Sequence, residues 1–170
     1  MKNIRYEGKY ITLSEEVIGT HTYERITLRA GVNVIPVKDK KVLLIKEKRT
    51  HEDEPRWKVV SGWCDKDEKT PLSHAQEELA EEANMQAEHW EEVYTTNIPN
   101  ATINPNVHYF TCFGLSELSY IHENPDSCII LEKKWFSFDE LFELINTKQT
   151  WMDHSLMVVL WVLYNQKNEH

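Results

Sequence analysis

The segment from residue 70 to residue 84 constrains the fold most strongly, because it combines clear helix signals with two chemically different faces. Thr70 is a favourable N-cap, and Pro71 suits the first helical position, where its missing N–H costs no hydrogen bond. Asn84 tolerates the left-handed conformation that closes helices. One side of the helix is apolar and consists of Leu72, Ala75, Leu79 and Ala83. This face requires a second layer of structure to cover it.

Alternating and apolar segments around this helix predict a sheet as the second layer. Residues 10–13 and 23–28 predict an N-terminal hairpin or small sheet. Further strands are expected at residues 32–37, 42–45, 57–60, 90–96, 107–115 and 129–136, with a polar loop at 97–106 and helices at 138–145 and 152–164. Pro36 favours an edge position or a bulge in the first of these strands. The order predicts an α/β protein with a mixed (α+β) sheet that carries helices on its faces.

The length and composition fit one folded unit. The 170 residues suit a single domain, with N-terminal strands at residues 1–29 and a core at residues 30–170. A net charge of −9 argues against broad binding to nucleic acid or to anionic membranes. The three cysteines include no CxxC pair, which favours a reducing, cytoplasmic setting over a disulfide framework or a zinc site. We find neither a targeting segment nor an apolar run long enough to span a membrane.

The polar side of the predicted helix carries three acids at close spacing. Glu78, Glu81 and Glu82 stand at i, i+3 and i+4, so a helix brings them to one face, where like charges repel. A hard divalent cation that takes several oxygen ligands would convert this repulsion into a binding site. The alternative is an ordinary solvated face, since glutamate is a good helix former.

The residues before the helix make the pattern more specific. Gly62 ends a predicted strand, and Glu68 follows it after five residues. Together with Glu78-Leu79, Glu81-Glu82 and Met85, they resemble the signature of the Nudix hydrolases, G-x5-E-x7-R-E-U-x-E-E-x-G-U, in which U is a bulky aliphatic residue. The resemblance extends over residues 30–165. The preceding hairpin is similar to the N-terminal extension of the ADP-ribose pyrophosphatase branch, whose members commonly form dimers through it.

Three features depart from this signature. Eight residues rather than seven separate Glu68 from the second half of the motif. Asn84 replaces the closing glycine, which is a mild change because asparagine is the next choice for a left-handed helix end. Glu77 replaces the arginine, and it exchanges a cation that would neutralise and orient the glutamates for another anion.

The resemblance implies a Nudix-type α/β/α sandwich and an activity. The activity is metal-dependent hydrolysis of a nucleoside diphosphate linked to another moiety, with ADP-ribose or a nucleotide sugar as the small-molecule substrate. Mg²⁺ or Mn²⁺ would neutralise charge that develops in the transition state and would activate water. By position, the metal ligands are Glu78, Glu81, Glu82 and the Ser61 carbonyl, and Glu68 is an acid that supports the site.

The general base and the substrate contacts are less specific. The loop at residues 97–106 contains no acid, so the base is expected to be Glu82 or Glu132. Arg49 and Arg56 can bind phosphate through their guanidinium groups, and Trp63 can stack on a base or ribose. For Glu132 and the arginines the alternative is an ordinary surface charge, and for Trp63 it is packing.

Two other functions remain compatible with the residues. The first is a catalytically weak or inactive Nudix-like module that binds or senses a nucleotide, which Glu77, the extra loop residue and the acid-free loop motivate. The second is a nucleoside triphosphate pyrophosphohydrolase. In each case the partner is a small nucleotide rather than nucleic acid or a membrane, and the N-terminal hairpin is a candidate surface for a homodimer.

Overall fold

The structure is a computed structural model that describes residues 2–49, 52–97, 102–119, 129–150 and 153–168. The N-terminal strands are β1 Lys2–Glu7, β2 Ile11–Ile18 and β3 His21–Leu28. The next strands are β4 Gly31–Lys38, β5 Lys41–Lys48, β6 Arg56–Lys58 and β7 Val60–Trp63. They are followed by β8 Met85–Asn97, β9 Ile103–Asn104, β10 Asn106–Glu117 and β11 Ile129–Phe136. The helices are α1 Pro71–Ala83, α2 Phe138–Asn146 and α3 His154–Asn168.

The strands form two sheets. The N-terminal sheet has the order β1-β2-β3-β9, in which β9 runs parallel to β3 and the other neighbours are antiparallel. The core sheet has the order β11-β5-β4-β10-β8, with β6 paired to β5 and β7 paired to β4. Strand β10 is parallel to β4 and antiparallel to β8, so the core sheet is mixed, as the sequence predicts.

Side chains alternate along the strands and separate two apolar layers. On β5, Leu43 and Ile45 face helix α1, in a cluster that includes Ala75, Leu79 and Ala83. The prediction that Leu72 belongs to this buried side is wrong, since Leu72 is 37% exposed in the first turn of the helix. The intervening side chains of β5 pack on the other face of the sheet, against apolar residues of α2 and α3. The core is therefore an α/β/α sandwich, and among the described residues α1 is the one helix on the face that bears the acidic segment. No helix among the described residues is long and apolar enough to cross a membrane.

The segment predicted as one strand at residues 57–60 is two strands. Lys58 pairs with Ile45 of β5, whereas Val60 pairs with Val34 of β4. Val59 lies between the two strands and is buried. The prediction of a single strand is wrong here, because a continuous apolar run does not reveal that the chain changes its pairing partner.

Pro36 lies inside the core sheet, so the expectation of an edge position is wrong. On one side, β4 pairs with β7 as far as Val34 and with β5 from Val37 onward. Pro36 therefore falls where the partner of β4 changes. A residue that lacks an N–H is tolerated at such a break in the ladder.

Three other elements differ from the predicted boundaries. The two segments predicted as an N-terminal hairpin or small sheet lie in β2 and β3, and β1 and β9 extend this pair to a sheet of four strands. Strand β9 lies within the segment predicted as a polar loop, of which residues 98–101 lie outside the described part of the chain. The last helix is described from His154, and the expected start at Met152 also lies outside the described residues.

Helix α1 begins and ends as its sequence predicts. The Thr70 hydroxyl accepts a hydrogen bond from the Ser73 N–H at 3.2 Å. Asn84 has φ 54° and ψ 43°, in the left-handed region, and its N–H donates to the Ala80 carbonyl at 3.0 Å. The last turn is therefore closed by a residue whose side chain tolerates this conformation.

We expect Asn84→Gly to preserve or raise the free energy of unfolding, because glycine adopts the left-handed conformation without a Cβ clash. Asn84→Val should lower it by about 1–2 kcal/mol. Urea denaturation of both variants measures the difference. An equal loss in both variants would instead assign the role of Asn84 to its side-chain amide, which donates to the Leu118 carbonyl at 3.5 Å.

Candidate functional site

Helix α1 packs against strand β7 and brings two of its acids to the backbone of that strand. The Ser61 N–H donates to Glu82 Oε2 at 2.8 Å. A Cβ on Gly62 would lie 1.7 Å from Glu78 Oε1, so any other residue here would force this carboxylate to move. Glu78 and Glu82 therefore meet β7 at successive residues, where the Ser61 carbonyl also lies.

The other two predicted acids lie farther from this contact. Glu81 is half-buried on α1, and Glu68 is exposed in the loop between β7 and α1. Within the described part of the chain, no group of three or more histidine, cysteine, aspartate or glutamate side chains is arranged to hold a metal ion. The structure thus brings Glu78, Glu82 and Ser61 together, and it does not assemble all the predicted ligands into one cluster.

A buried lysine lies between Glu82 and a second glutamate. Lys58 Nζ lies 3.1 Å from Glu82 Oε1 and 3.0 Å from Glu47 Oε2, and it donates to the Ser61 hydroxyl at 3.3 Å. Lys58 and Glu82 are each 8% exposed, and Glu47 is 2% exposed. Arg49 adds a second cation, since its Nε donates to Glu47 Oε2 at 3.2 Å. Two cations therefore balance two anions at this place.

The protonation of the cluster follows from burial and from these contacts. Burial by itself would lower the pKa of Lys58, but the charges of Glu82 and Glu47 outweigh it and raise that pKa. Burial raises the pKa of the Glu82 carboxyl, against the opposing effects of Lys58 and the Ser61 N–H. Lys58 is consequently a charged ammonium group at neutral pH.

A cavity of about 340 Å³ opens beside this cluster. It is lined by Asn33, Arg49, Lys58, Val59, Ser61, Asp153 and Ser155. Its volume falls within the range of small-molecule sites, and its walls present both cations and hydrogen-bonding groups. Lys58 and Ser61 thus connect the carboxylates of α1 with a space that a ligand can enter.

The two arginines of the sequence prediction are separated. Arg49 lines the cavity. The Arg56 guanidinium is occupied elsewhere, because its Nη1 donates to the Lys148 carbonyl after α2 at 3.1 Å. Of the two, Arg49 is therefore the one that lies beside the carboxylates.

The side chains of Trp63 and Glu132 both lie away from the contact between the acids of α1 and the backbone of β7. Trp63 is at the end of β7 with 42% of its surface exposed, and its ring lies 5.2 Å from that of Tyr10 in the N-terminal sheet. Glu132 is exposed on the edge strand β11 and is paired across the sheet with Lys46 of β5. The Lys46 ammonium lies over the ring of Trp57, which belongs to the apolar layer of α2 and α3. The structure therefore places Glu132 on the face of the sheet away from α1.

Glu77 does not add an unbalanced charge to the acidic face. Lys66 Nζ lies 3.1 Å from Glu77 Oε2, and Lys69 forms an ion pair with the other carboxylate oxygen. The hydrogen bond from Lys69 and the contacts with Lys66 lower the pKa of Glu77. Loop lysines therefore neutralise the acid that stands in place of the motif arginine.

The sequence prediction omitted Glu47 and Lys58. Both lie in strands that also carry buried apolar residues, which are residues 42–45 in β5 and Trp57 in β6. A charged residue inside such a strand is itself a signal, because buried charges are rare unless they are paired. The sequence did not reveal the pairing, since β5, β6 and α1 are far apart along the chain.

Comparison with known proteins shows which family model and which fold the chain matches. A family model described as the NUDIX domain matches residues 27–158. No curated protein sequence matches the chain. A solved structure described as an ADP compounds hydrolase superimposes with a TM-score of 0.73 at 15% sequence identity, over 98% of this chain and 91% of that chain. The likeness to that structure shows a common fold.

We expect Glu77→Arg, which restores the motif residue, to lower the urea midpoint of unfolding modestly, because it places a third cation beside Lys66 and Lys69. The triple exchange of Glu77→Arg with Lys66→Glu and Lys69→Glu should recover the midpoint. Failure of this exchange to recover it would show that Glu77 acts through something other than charge.

The pH dependence of stability offers a second measurement on Glu77. Since its pKa is lowered in the folded protein, its contribution is present above the unfolded-state pKa and is lost as the pH falls through the folded-state value. Glu77→Gln should therefore show a smaller loss of stability on acidification than the wild-type protein.

Proposed function

Because this chain belongs to the Nudix family and is thus a Nudix-type hydrolase of phosphorus-containing anhydrides, we propose that it cleaves the pyrophosphate link of a nucleoside diphosphate joined to another moiety. ADP-ribose or a nucleotide sugar is the proposed substrate. The observation that carries this proposal is the meeting of Glu78 and Glu82 with the Ser61–Gly62 backbone, beside a cavity of small-molecule size. The solved structure of an ADP compounds hydrolase with the same fold supports the substrate class.

The donor atoms at this backbone fit a hard divalent cation, which Nudix hydrolases generally need. Carboxylate and carbonyl oxygens are the ligands that Mg²⁺ and Mn²⁺ prefer. The space that Gly62 leaves for the Glu78 carboxylate supports this assignment. We assign the metal to Glu78, Glu82 and the Ser61 carbonyl, with Glu81 next to them on α1 and Glu68 in a supporting role. When bound, the ion would neutralise phosphate charge and activate water.

The residues of the chain that surround the cavity supply binding and orientation. Arg49 presents a guanidinium group to the cavity and is suited to a phosphate oxygen. Trp63 and Tyr10 form an exposed aromatic pair that suits a nucleoside base or ribose. Of the two acids expected as base, we retain Glu82, because Glu132 faces the other side of the sheet.

We expect turnover of at least one member of a panel of ADP-ribose, nucleotide sugars, dinucleotides and nucleoside triphosphates, assayed with Mg²⁺ or Mn²⁺. Glu78→Gln should reduce that turnover by about 100-fold or more, because it removes a charged ligand for the ion without removing volume. Glu143→Gln, an exposed acid of α2, is the matched control and should retain activity.

Gly62→Ala tests the same site while leaving every carboxylate in place. Its Cβ displaces the flexible end of Glu78, so turnover should fall while the fold is retained, as circular dichroism and thermal unfolding would show. Full activity in both Glu78→Gln and Gly62→Ala would place the reaction elsewhere. Binding of a nucleotide without turnover of any panel member would support the sensor function instead.

We propose in addition that two copies of the chain associate through the N-terminal sheet. Large apolar side chains of this sheet are more than half exposed, and they are Ile4, Tyr6, Val17, Ile18 and Ile103. Association would remove this surface from water.

Analytical ultracentrifugation should therefore detect a dimer of the wild-type chain and a shift of Val17→Lys toward monomer. Met157→Lys, at a residue of α3 that is 68% exposed, should remain dimeric. A wild-type chain that is monomeric at all concentrations would exclude this association.

A further inference from the structure

A row of polar side chains crosses the face of the core sheet that lies away from α1. Ser61 of β7 pairs with Asn33 of β4, and Asn33 pairs with Tyr109 of β10. Paired residues of neighbouring strands point to the same face, and Tyr109 packs in the apolar layer of α2 and α3. Because neighbouring strands lie about 4.8 Å apart, the row extends over about 10 Å.

The cavity described above lies along this row, since Asn33 and Ser61 both line it. Its β7 end carries hydrogen-bond donors. Lys58 Nζ donates to the Ser61 hydroxyl at 3.3 Å, and Arg49 lines the same cavity. The backbone of Ser61 also meets the acids of α1. Ammonium and guanidinium groups suit phosphate oxygens, so this end of the cavity fits the pyrophosphate.

The β10 end of the row lies near a carboxylate. Asp153 and Ser155, at the start of α3, also line the cavity. Burial and the charge of Asp153 raise the pKa of Tyr109 to about 12, although a hydrogen bond with Asn33 opposes them. The phenol is therefore neutral at pH 7, and its contact with Asn33 helps to hold that amide in place. Since its charge acts on Tyr109, Asp153 lies toward the β10 end of the row.

The side chain of Asp153 combines a structural contact with acceptor capacity for a ligand. Its hydrogen bonds within the described part of the chain all involve Oδ1, which accepts the N–H groups of Ser155 at 2.9 Å and Leu156 at 3.3 Å and thus caps α3. The residue is exposed, and Oδ2 provides a second acceptor. A carboxylate accepts hydrogen bonds from hydroxyl groups and repels phosphate. The two ends of the cavity therefore suit chemically different parts of a ligand.

We propose that this cavity binds the moiety joined to the nucleoside diphosphate, and that this moiety is a neutral sugar whose hydroxyl groups donate to Asp153 and contact Asn33. The phosphate attached to the sugar lies toward Lys58 and Arg49. This proposal rests on the function proposed above and names part of its substrate. Asp153 is then a specificity-determining residue, because its charge disfavours the additional phosphate of a nucleoside triphosphate at the same place.

The test compares ligands that differ by the sugar alone. Ribose 5-phosphate, glucose 1-phosphate and inorganic phosphate are titrated into the protein with Mg²⁺, and their dissociation constants are measured by ligand-observed NMR. We expect the wild-type chain to bind at least one of the two sugar phosphates about tenfold more tightly than inorganic phosphate, which is the effect of one hydrogen bond to a charged group.

Asp153→Asn should remove most of this preference and leave the affinity for inorganic phosphate unchanged. Asparagine is an equally favourable N-cap, so the start of α3 is retained, as thermal unfolding would show. Asp139→Asn, at an exposed acid in the first turn of α2, is the matched control and should keep the wild-type preference. Asn33→Ala leaves the cap of α3 intact and should also reduce the preference, so it decides the matter if Asp153→Asn unfolds.

Three results would overturn the proposal. The first is a wild-type chain that binds neither sugar phosphate more tightly than inorganic phosphate. The second is an unchanged preference in Asp153→Asn and Asn33→Ala. The third is an Asp153→Asn variant that changes the relative affinities for AMP and GMP instead, since the cavity would then hold the base.

These measurements do not require turnover, so the two proposals fail separately. Sugar-phosphate binding as expected, without turnover of any substrate, would disprove the proposed function and leave the sugar site standing. Turnover of ADP-ribose or a nucleotide sugar with a kcat/KM, relative to that for ATP, that Asp153→Asn does not lower would retain the function and contradict the sugar site.

Discussion

The contact between helix α1 and strand β7 organises the candidate functional site of this protein. Helix N-capping at Thr70 and closure at Asn84 set the length of α1, and its apolar side fixes the helix on the core sheet. The acids on the other side of the fixed helix in turn restrict which residues β7 can carry. Glu78 needs a neighbour without a side chain, and Glu82 needs an N–H donor. The consecutive residues Ser61 and Gly62 meet both needs, so one short backbone segment accommodates both of these acids.

Charge compensation explains how a chain with net charge −9 accommodates several acids on one helix. The acids of α1 divide into groups with different partners. Glu77 turns to the lysines of the loop, and Glu82 turns inward to Lys58. Glu78 lies on the backbone of β7. The overall charge therefore overstates the repulsion that a phosphate group would meet, since lysine and arginine side chains already offset part of it within the site.

Glu77, which stands where the Nudix signature has arginine, pairs with two lysines of the loop before α1. The ion pairs of Glu77 with Lys66 and Lys69 join α1 to the preceding loop. A cation on α1 paired with an acid in that loop would join the same two elements. The attraction between two opposite charges is the same when the charges are exchanged, so an ion pair between the loop and α1 does not depend on which of them carries the acid. The shape of the loop and of the helix end, in contrast, does depend on the particular residues. The compensating lysines lie 8 and 11 residues before Glu77, close enough for the sequence to contain the information.

Local signals determined much of this protein. The alternation of apolar residues, the capping residues of α1 and the spacing of three glutamates act within a few residues, so the sequence by itself indicated the mixed sheet, the helices and the acidic face. Only the tertiary structure decided which strand each segment joins, as the division of residues 57–60 between β5 and β4 shows. It also decided that Glu47, Lys58 and Glu82 meet, and that Glu132 lies on the other face. These outcomes depend on contacts between distant segments, whose selection rests on the packing and desolvation of the whole core rather than on local preference.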